Sequence, residues 1–264
     1  MKVISLNAWG GAMFEPLSAW LPSCGADVLC LQEVTHAAGL NGWTRFSDND
    51  RSLPQRASLL DDVQRLLPEH RALFVCCDSG PVIGEDNHRH REDFGIAMFV
   101  HKRFPITHME SAFVHGDYQH YVEWPSSGRP RAAFGVRLID AERDRVIAIT
   151  HLHGLRDAAG KDDSPARLVQ AKRLAALTER IGRDADFSIL CGDLNLLPSS
   201  ATFAILQRSG LTDLIGSADT RTSRYAKPVR HANYMLVSDV AKVVSVDAPA
   251  EPEVSDHRFL VLAV

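Results

Sequence analysis

The sequence predicts an α+β protein whose β-sheets are covered on both faces, and three observations carry that expectation. About ten short β-branched or apolar runs recur along the chain, at residues 2–6, 27–31, 72–76, 94–100, 132–138, 146–150, 187–190, 234–237, 242–246 and 258–264. Several of these runs are apolar at consecutive positions, as strands are when neither face meets water. Helical spacing is confined to a few stretches, so strands outnumber helices.

Taken in order, Val3-Ile4-Ser5-Leu6 reads as a strand that ends on polar Asn7, and residues 27–31 as one that ends on Gln32-Glu33. Residues 58–67 carry a helical pattern. The runs at 72–76 and 94–100 flank residues 78–93, which are rich in Gly, His, Arg and Asp and read as a long loop, as do 115–131 and 154–163. After the strands at 132–138 and 146–150, Ser164-Pro165 opens a helix over 165–181, in which Leu168, Ala171, Leu174, Ala175 and Leu177 share a face. A strand at 187–190 is followed by a third helix starting at Ser199 or Ser200, and the last three runs complete the sheets.

Composition excludes several classes. With 264 residues, 45% hydrophobic and 23% charged, the chain is neither disordered nor low in complexity, and no linker divides it, so one domain over residues 1–264 is expected. A net charge of -4 offers no general attraction to polyanions, so phosphate recognition must come from a local basic site. No apolar stretch approaches the ~20 residues of a bilayer-spanning helix. The N-terminus has no apolar segment of secretory length, and the 5 cysteines are odd in number with no C-x-x-C spacing. Free thiols and a cytoplasmic location are expected, with no obligate protein partner inferred. P-loop, dinucleotide and G-x-S-x-G patterns are absent from the sequence.

Polar residues gather where strands end. Asn7, Glu33, His151, and Asp193 with Asn195 each follow an apolar run, whereas Asn233 and Ser255-Asp256-His257 precede one. An antiparallel strand begins where its neighbour ends, so all of them can lie along one edge. Singly, each has an ordinary structural explanation, such as a turn at Asp193-Leu194-Asn195. Glu33 stands apart, because a carboxylate ending a buried strand is costly unless it is paired or metal-bound.

The ordered set Leu6-Asn7, Leu31-Gln32-Glu33-Val34, Thr150-His151-Leu152, Gly192-Asp193-Leu194-Asn195, Asn233-Tyr234-Met235-Leu236 and Ser255-Asp256-His257 resembles the endonuclease/exonuclease/phosphatase superfamily, the deoxyribonuclease-like and apurinic-endonuclease-like hydrolases. The resemblance spans nearly the whole chain, with lesser echoes at Gly95-Ile96-Ala97-Met98 and Arg167-x-x-Gln170. It implies a four-layer α/β/β/α sandwich and hydrolysis of phosphate esters, by a phosphodiesterase, nuclease or phosphatase. It also implies that Asp193 and His257 orient and deprotonate the attacking water, while His151 and Asn195 bind the scissile phosphate. Oxygen ligands such as Glu33 and Asn7, with Asp256 in the outer shell, suit Mg²⁺ or Mn²⁺. The family usually has Asp where this chain has Asn233; an amide can still accept a hydrogen bond from the His257 ring but cannot stabilise its cation, so a less basic His257 is expected.

Arg89, Arg91 and Arg156 lie in the expected rim loops, and Arg129 and Arg131 flank Pro130 before a strand; all are candidates for gripping phosphate oxygens of a nucleic acid, nucleotide or other phosphate ester. Glu92 or Asp93 is a candidate brace for His151. Two other readings stay open. His151-x-His153 puts two imidazoles on one strand face, as in zinc hydrolases. A non-catalytic relative that binds a phosphorylated ligand or a protein partner is also compatible with Asn233.

Overall fold

A computed structural model describes residues 1–157 and 159–264. Fifteen strands follow in chain order: β1 (Lys2–Asn7), β2 (Val28–His36), β3 (Trp43–Ser47), β4 (Ser52–Arg56), β5 (His70–Gly84), β6 (Arg89–His101), β7 (Ile106–His115), β8 (Gln119–His120), β9 (Arg131–Asp140), β10 (Arg145–His153), β11 (Phe187–Asp193), β12 (Thr212–Asp213), β13 (Asn233–Val237), β14 (Ser245–Asp247) and β15 (Leu260–Ala263). The helices are α1 (Phe14–Trp20), α2 (Leu59–Leu66), α3 (Pro165–Gly182) and α4 (Ala201–Arg208).

The strands form a 9-stranded sheet ordered β14-β15-β1-β2-β6-β5-β3-β4, with β8 beside β5, and a 6-stranded sheet ordered β12-β13-β11-β10-β9-β7. Both are mixed: β1 runs parallel to β2 and β10 parallel to β11, while their other neighbours are antiparallel. Three apolar layers follow from strand alternation. Val3, Val28, Cys30, Ile147, Ile149, Phe187, Ile189 and Met235 pack between the sheets. The opposite faces bury Leu29 and Leu31 against Leu17 of α1 and Leu59 and Val63 of α2, and Leu152 and Leu190 against Leu174, Leu177 and Ile181 of α3 and Leu206 of α4. Each such side chain stabilises the fold by about 1.5–3 kcal/mol. The expected four-layer sandwich is the observed one, and no helix among the described residues is long and apolar enough to cross a membrane.

The helices expected at 58–67, at 165–181 and from Ser199 or Ser200 are α2, α3 and α4, the last with Ser200 as its cap. The hydroxyls of Ser164 and Ser200 cap α3 and α4 by accepting from Arg167 N and Thr202 N. The expected loop at 78–93 is instead the outer part of the β5–β6 hairpin, paired from Asp78–Phe94 to Ile83–Arg89. Its polar composition reflects exposure along much of that hairpin rather than irregular backbone. The β3–β4 hairpin, the strand β7 and the short helix α1 carry little apolar periodicity and escaped the sequence reading.

Glu92 is a fully buried carboxyl in this hairpin, with Gln55 Nε2 donating to both of its oxygens at 2.6 and 2.8 Å. Burial pushes it up to about 8 from an ordinary value of 4.5. Because the folded value is the raised one, Glu92's contribution to stability is fully present below about pH 4.5 and is lost as pH rises through about 8. Glu92→Gln is therefore expected to gain on the parent as pH rises, melting above it by at least about 2–4 °C at pH 9. A melting difference independent of pH would show that this carboxyl does not titrate in that window.

Candidate active site

The layer between the sheets turns polar at one edge. Every second residue faces this layer, so one face of β1 reads Val3, Ser5, Asn7; β10 reads Ile147, Ile149, His151, His153; β11 reads Phe187, Ile189, Cys191, Asp193; and antiparallel β13 reads Val237, Met235, Asn233. Strand register sets His153 beside Asp193 and Asp193 beside Asn233.

Glu33 reaches this edge by breaking the alternation. Following Leu29 and Leu31, it would point under the helices. A bulge instead shifts the register between Gln32 and Val34, and Glu33 takes a left-handed φ of 55°. Such strain costs about 1–3 kcal/mol per residue and marks functional positions. Trp9 (φ 51°) and Asn195 (φ 55°) share this conformation and line the same cleft. Gly192 is demanded by geometry: φ is 140°, and a Cβ there would lie 2.1 Å from the Leu152 carbonyl oxygen.

Asp193 Oδ2 is the hub. Asn7 Nδ2 donates to it at 3.0 Å and to Glu33 Oε1 at 3.0 Å, so one amide spaces two carboxylates. His257 Nε2 lies 3.5 Å from Oδ2 and His153 Nε2 3.9 Å, while His153 Nε2 is 3.7 Å from Glu33 Oε1. Asp193 Oδ1 accepts from Asn195 N at 2.9 Å, which turns the chain, and Asn195 Nδ2 donates to the Gly154 carbonyl at 3.4 Å. The segment is therefore a turn closed by its own aspartate.

Asn233 Nδ2 donates to the Arg258 carbonyl at 2.9 Å, leaving Oδ1 to accept from His257 Nδ1–H at 2.8 Å. His257 Nε2 is thereby left as the basic nitrogen. Burial first, then Arg221, keeps this ring well below the usual histidine range.

Arg221 donates through Nη1 to Asp256 Oδ2 at 2.9 Å and to His257 Nε2. Burial pushes the Asp256 carboxyl up to about 7, against the lowering effect of Arg221, and Glu33 and Asp193 add to the rise. Lys161 lines the same cleft, and burial brings its ammonium down to about 8 although Asp193 opposes this. Neither Arg221 nor Lys161 stands in a motif, and only the fold brings them here.

Several expectations are corrected. His151 is fully buried, with no partner for either ring nitrogen among the described residues, and burial alone pushes it down to about 3. His153, one step further along the same face, is the imidazole that meets Glu33 and Asp193. The His151-x-His153 pair is thus no zinc pair, and neither Glu92 nor Asp93 braces His151. Arg89 binds Glu123 at 2.8 Å, and Arg91 binds the Tyr121 carbonyl at 2.6 Å, away from the cleft. Arg156 does line the cleft, which measures about 950 Å³. The loop carrying it is held by Arg167, which donates to the carbonyls of Leu155, Gly160 and Asp162, and by Gln170, which accepts from Leu155 N.

The sequence pattern of the Endonuclease/Exonuclease/phosphatase family matches residues 4–257, a span that includes Asn7 and ends on His257. The chain belongs to this family. Its members are generally phosphoester hydrolases that use divalent metals. Among solved structures, the chain is similar to an endonuclease/exonuclease/phosphatase from Bacteroides vulgatus (14% identity, 99% of this chain and 97% of that one, TM-score 0.66). It is also similar to the Bacteroides thetaiotaomicron mannosyl-6-phosphatase Bt3783 (16%, 100% and 98%, 0.62) and to the human Nocturnin catalytic domain with bound sulfate (18%, 99% and 92%, 0.65). At these identities the likeness shows the fold. Among curated proteins none matches this chain by sequence.

The family's divalent metal fits this donor set. Glu33, Asp193 and Asp256 face one another, with Arg221 the one cation ion-paired to any of them among the described residues. A hard cation would offset the remaining negative charge. No three His, Cys, Asp or Glu side chains among the described residues cage an ion by themselves. Mg²⁺ does not require that, since it keeps several waters and takes one or two carboxylates. Glu33, 27% exposed, and Asp256, 14% exposed, are the open carboxylates. Asn7, expected as an oxygen ligand, turns its nitrogen to the carboxylates while its oxygen accepts from Trp9 N at 3.0 Å.

The two histidines of β10 give a direct check of this placement. Loss of His153 in His153→Ala is expected to lower kcat/KM for phosphate-ester hydrolysis by about 10²–10³-fold. His151→Met is expected to keep activity close to the parent's with unchanged or higher stability, since a buried unpaired polar ring is lost. The reverse ranking would show that the deeper ring is the functional one.

Proposed function

We propose that this chain is a Mg²⁺- or Mn²⁺-dependent hydrolase of phosphate esters, most suited to phosphodiesters, acting through a water activated at Asp193 and His257. The convergence of Asn7, His153 and His257 on Asp193 Oδ2, with Glu33 beside them, supports this reading above any other single observation.

Hydrolysis requires a nucleophilic water and neutralisation of charge on the phosphoryl oxygens. A water between Asp193 Oδ2 and His257 Nε2 has one acceptor to orient it and one unprotonated imidazole to take its proton. Asn233 fixes the tautomer that makes this possible. Arg221, now donating to His257 Nε2, must release that lone pair before His257 can act as a base, and its guanidinium is then available to a phosphoryl oxygen. His153, Asn195 and Arg156 face the same space and supply further donors. A divalent ion held by Glu33, with Asp256 in its outer shell, would supply Lewis-acid neutralisation of the phosphoryl charge.

Assays with Mg²⁺ and Mn²⁺ on bis-nitrophenyl phosphate, nitrophenyl phosphate, plasmid DNA and short RNA are expected to show chelator-sensitive hydrolysis. Glu33→Ala and His257→Ala should each lose about 10²–10⁴-fold. Variants as active as the parent would refute the assignment. His257 held below its ordinary value places the acid limb of the kcat/KM profile below pH 6.5. Asn233→Asp, which adds a stabilising negative charge, should move that limb upward by about one unit; an unmoved limb would remove His257 from the base's role.

A further inference from the structure

Beside Glu33 the cleft opens into a side pocket of about 60 Å³, between the β3–β4 hairpin and residues 126–131. Glu33, His153 and Arg156 border both spaces, whereas Phe94, Arg129 and Arg131 border only the side pocket and Asp193, Asp256 and His257 only the main cleft. The pocket is therefore a recess continuous with the cleft, with its own inner wall beside the reacting centre.

Its cations differ in commitment. Arg129 makes two 2.7 Å bonds to Asp78, and its guanidinium lies over Phe94 and Trp124 at 4.2 and 4.3 Å, so it is fully engaged. Arg51 is paired with Asp48. Arg131 is only 6% exposed, yet no acidic group among the described residues pairs with it. Two of its donors are used, Nε on the Gly154 carbonyl at 3.0 Å and Nη1 on the Pro130 carbonyl at 3.3 Å; the rest have no acceptor among the described residues. Arg156, exposed and without a partner among the described residues, stands on the same wall. Glu33 at the mouth is the one carboxylate lining this space among the described residues.

A buried guanidinium with no direct ion pair, only the more distant charges of Asp78 and Glu33, is expensive to keep, and it is the group best shaped to fork two oxygens of a phosphate. We infer that the side pocket binds a second phosphate-type anion, carried by the same small molecule as the scissile phosphate, with Arg131 as its main contact and Arg156 closing over it. The inference rests on the phosphate-ester reading and narrows it: the preferred substrates are small phosphate esters with two anionic groups, not simple monoanions. Arg129 acts as a positioning residue, holding the pocket floor through Asp78 and the aromatic rings.

The test is calorimetric titration of the full chain, with Mg²⁺ in large excess over ligand, using methylphosphonate and methylenediphosphonate as probes. The parent is expected to bind the diphosphonate at least about ten times more tightly, a factor worth about 1.4 kcal/mol. Arg131→Gln should bring the ratio near one, and Arg131→Lys, which keeps the charge but loses the fork, should leave an intermediate ratio. A ratio near one in the parent overturns the inference, even if the Gln variant fails to fold. So does a ratio that survives in both variants, or an Arg131-dependent affinity for a short oligoribonucleotide with none for the diphosphonate. Hydrolysis is not read here, so this inference and the hydrolase assignment can fail separately.

Discussion

Two side-chain hydrogen bonds cross from one β-sheet to the other at the same edge, and the arrangement of the site depends on them. Asn7 of β1 reaches Asp193 of β11, and His257, just before β15, reaches Asn233 of β13. Each joins residues far apart in sequence and ends an otherwise apolar layer. The apolar packing behind them sets the separation of the sheets; the two amides then fix where a carboxylate and an imidazole stand within that gap. Both bonds are almost fully buried, so the surrounding low polarity strengthens them and would penalise any loss of a partner.

The same edge concentrates features that oppose stability. Glu33 sits in a strained bulge, three carboxylates face one another, and burial holds Asp256 near neutrality in its titration. The fold offsets these costs with three apolar layers, and a bound cation would relieve the electrostatic part. Strain and like charge held in place by a rigid core are what a site built to receive a cation and a phosphate requires. The neutral, buried His151 one step behind shows how sharply polarity changes along a single strand.

Much of this was legible in the chain. Asn7 and Asp193 end apolar runs and Asn233 begins one, so their common face follows from alternation; strands apolar on both sides imply sheets covered on each face, and the four layers themselves follow from the family resemblance. Other features depend on long-range pairing. His151 and His153 share a face, and only the register with β11 decides which of them stands at the edge. Alternation sends Glu33 the wrong way, because a bulge leaves no mark in hydropathy. Arg89 and Arg91 looked like rim residues until pairing with β5 carried them along the hairpin. Arg221 and Lys161 belong to no pattern, and their importance lies in what the fold leaves beside them; Arg131 could be read as a candidate beside Pro130, but only the fold separates it from the committed Arg129.

The central claim is that residues from both sheets gather their carboxylates to receive one divalent cation. It is tested most directly by titrating Mn²⁺ into the protein and following free Mn²⁺ by electron paramagnetic resonance. One ion bound per chain, with affinity sharply weakened in Glu33→Gln and unchanged in Glu92→Gln, is the result this account predicts. Mn²⁺ that stays free, or binding indifferent to Glu33, would contradict it.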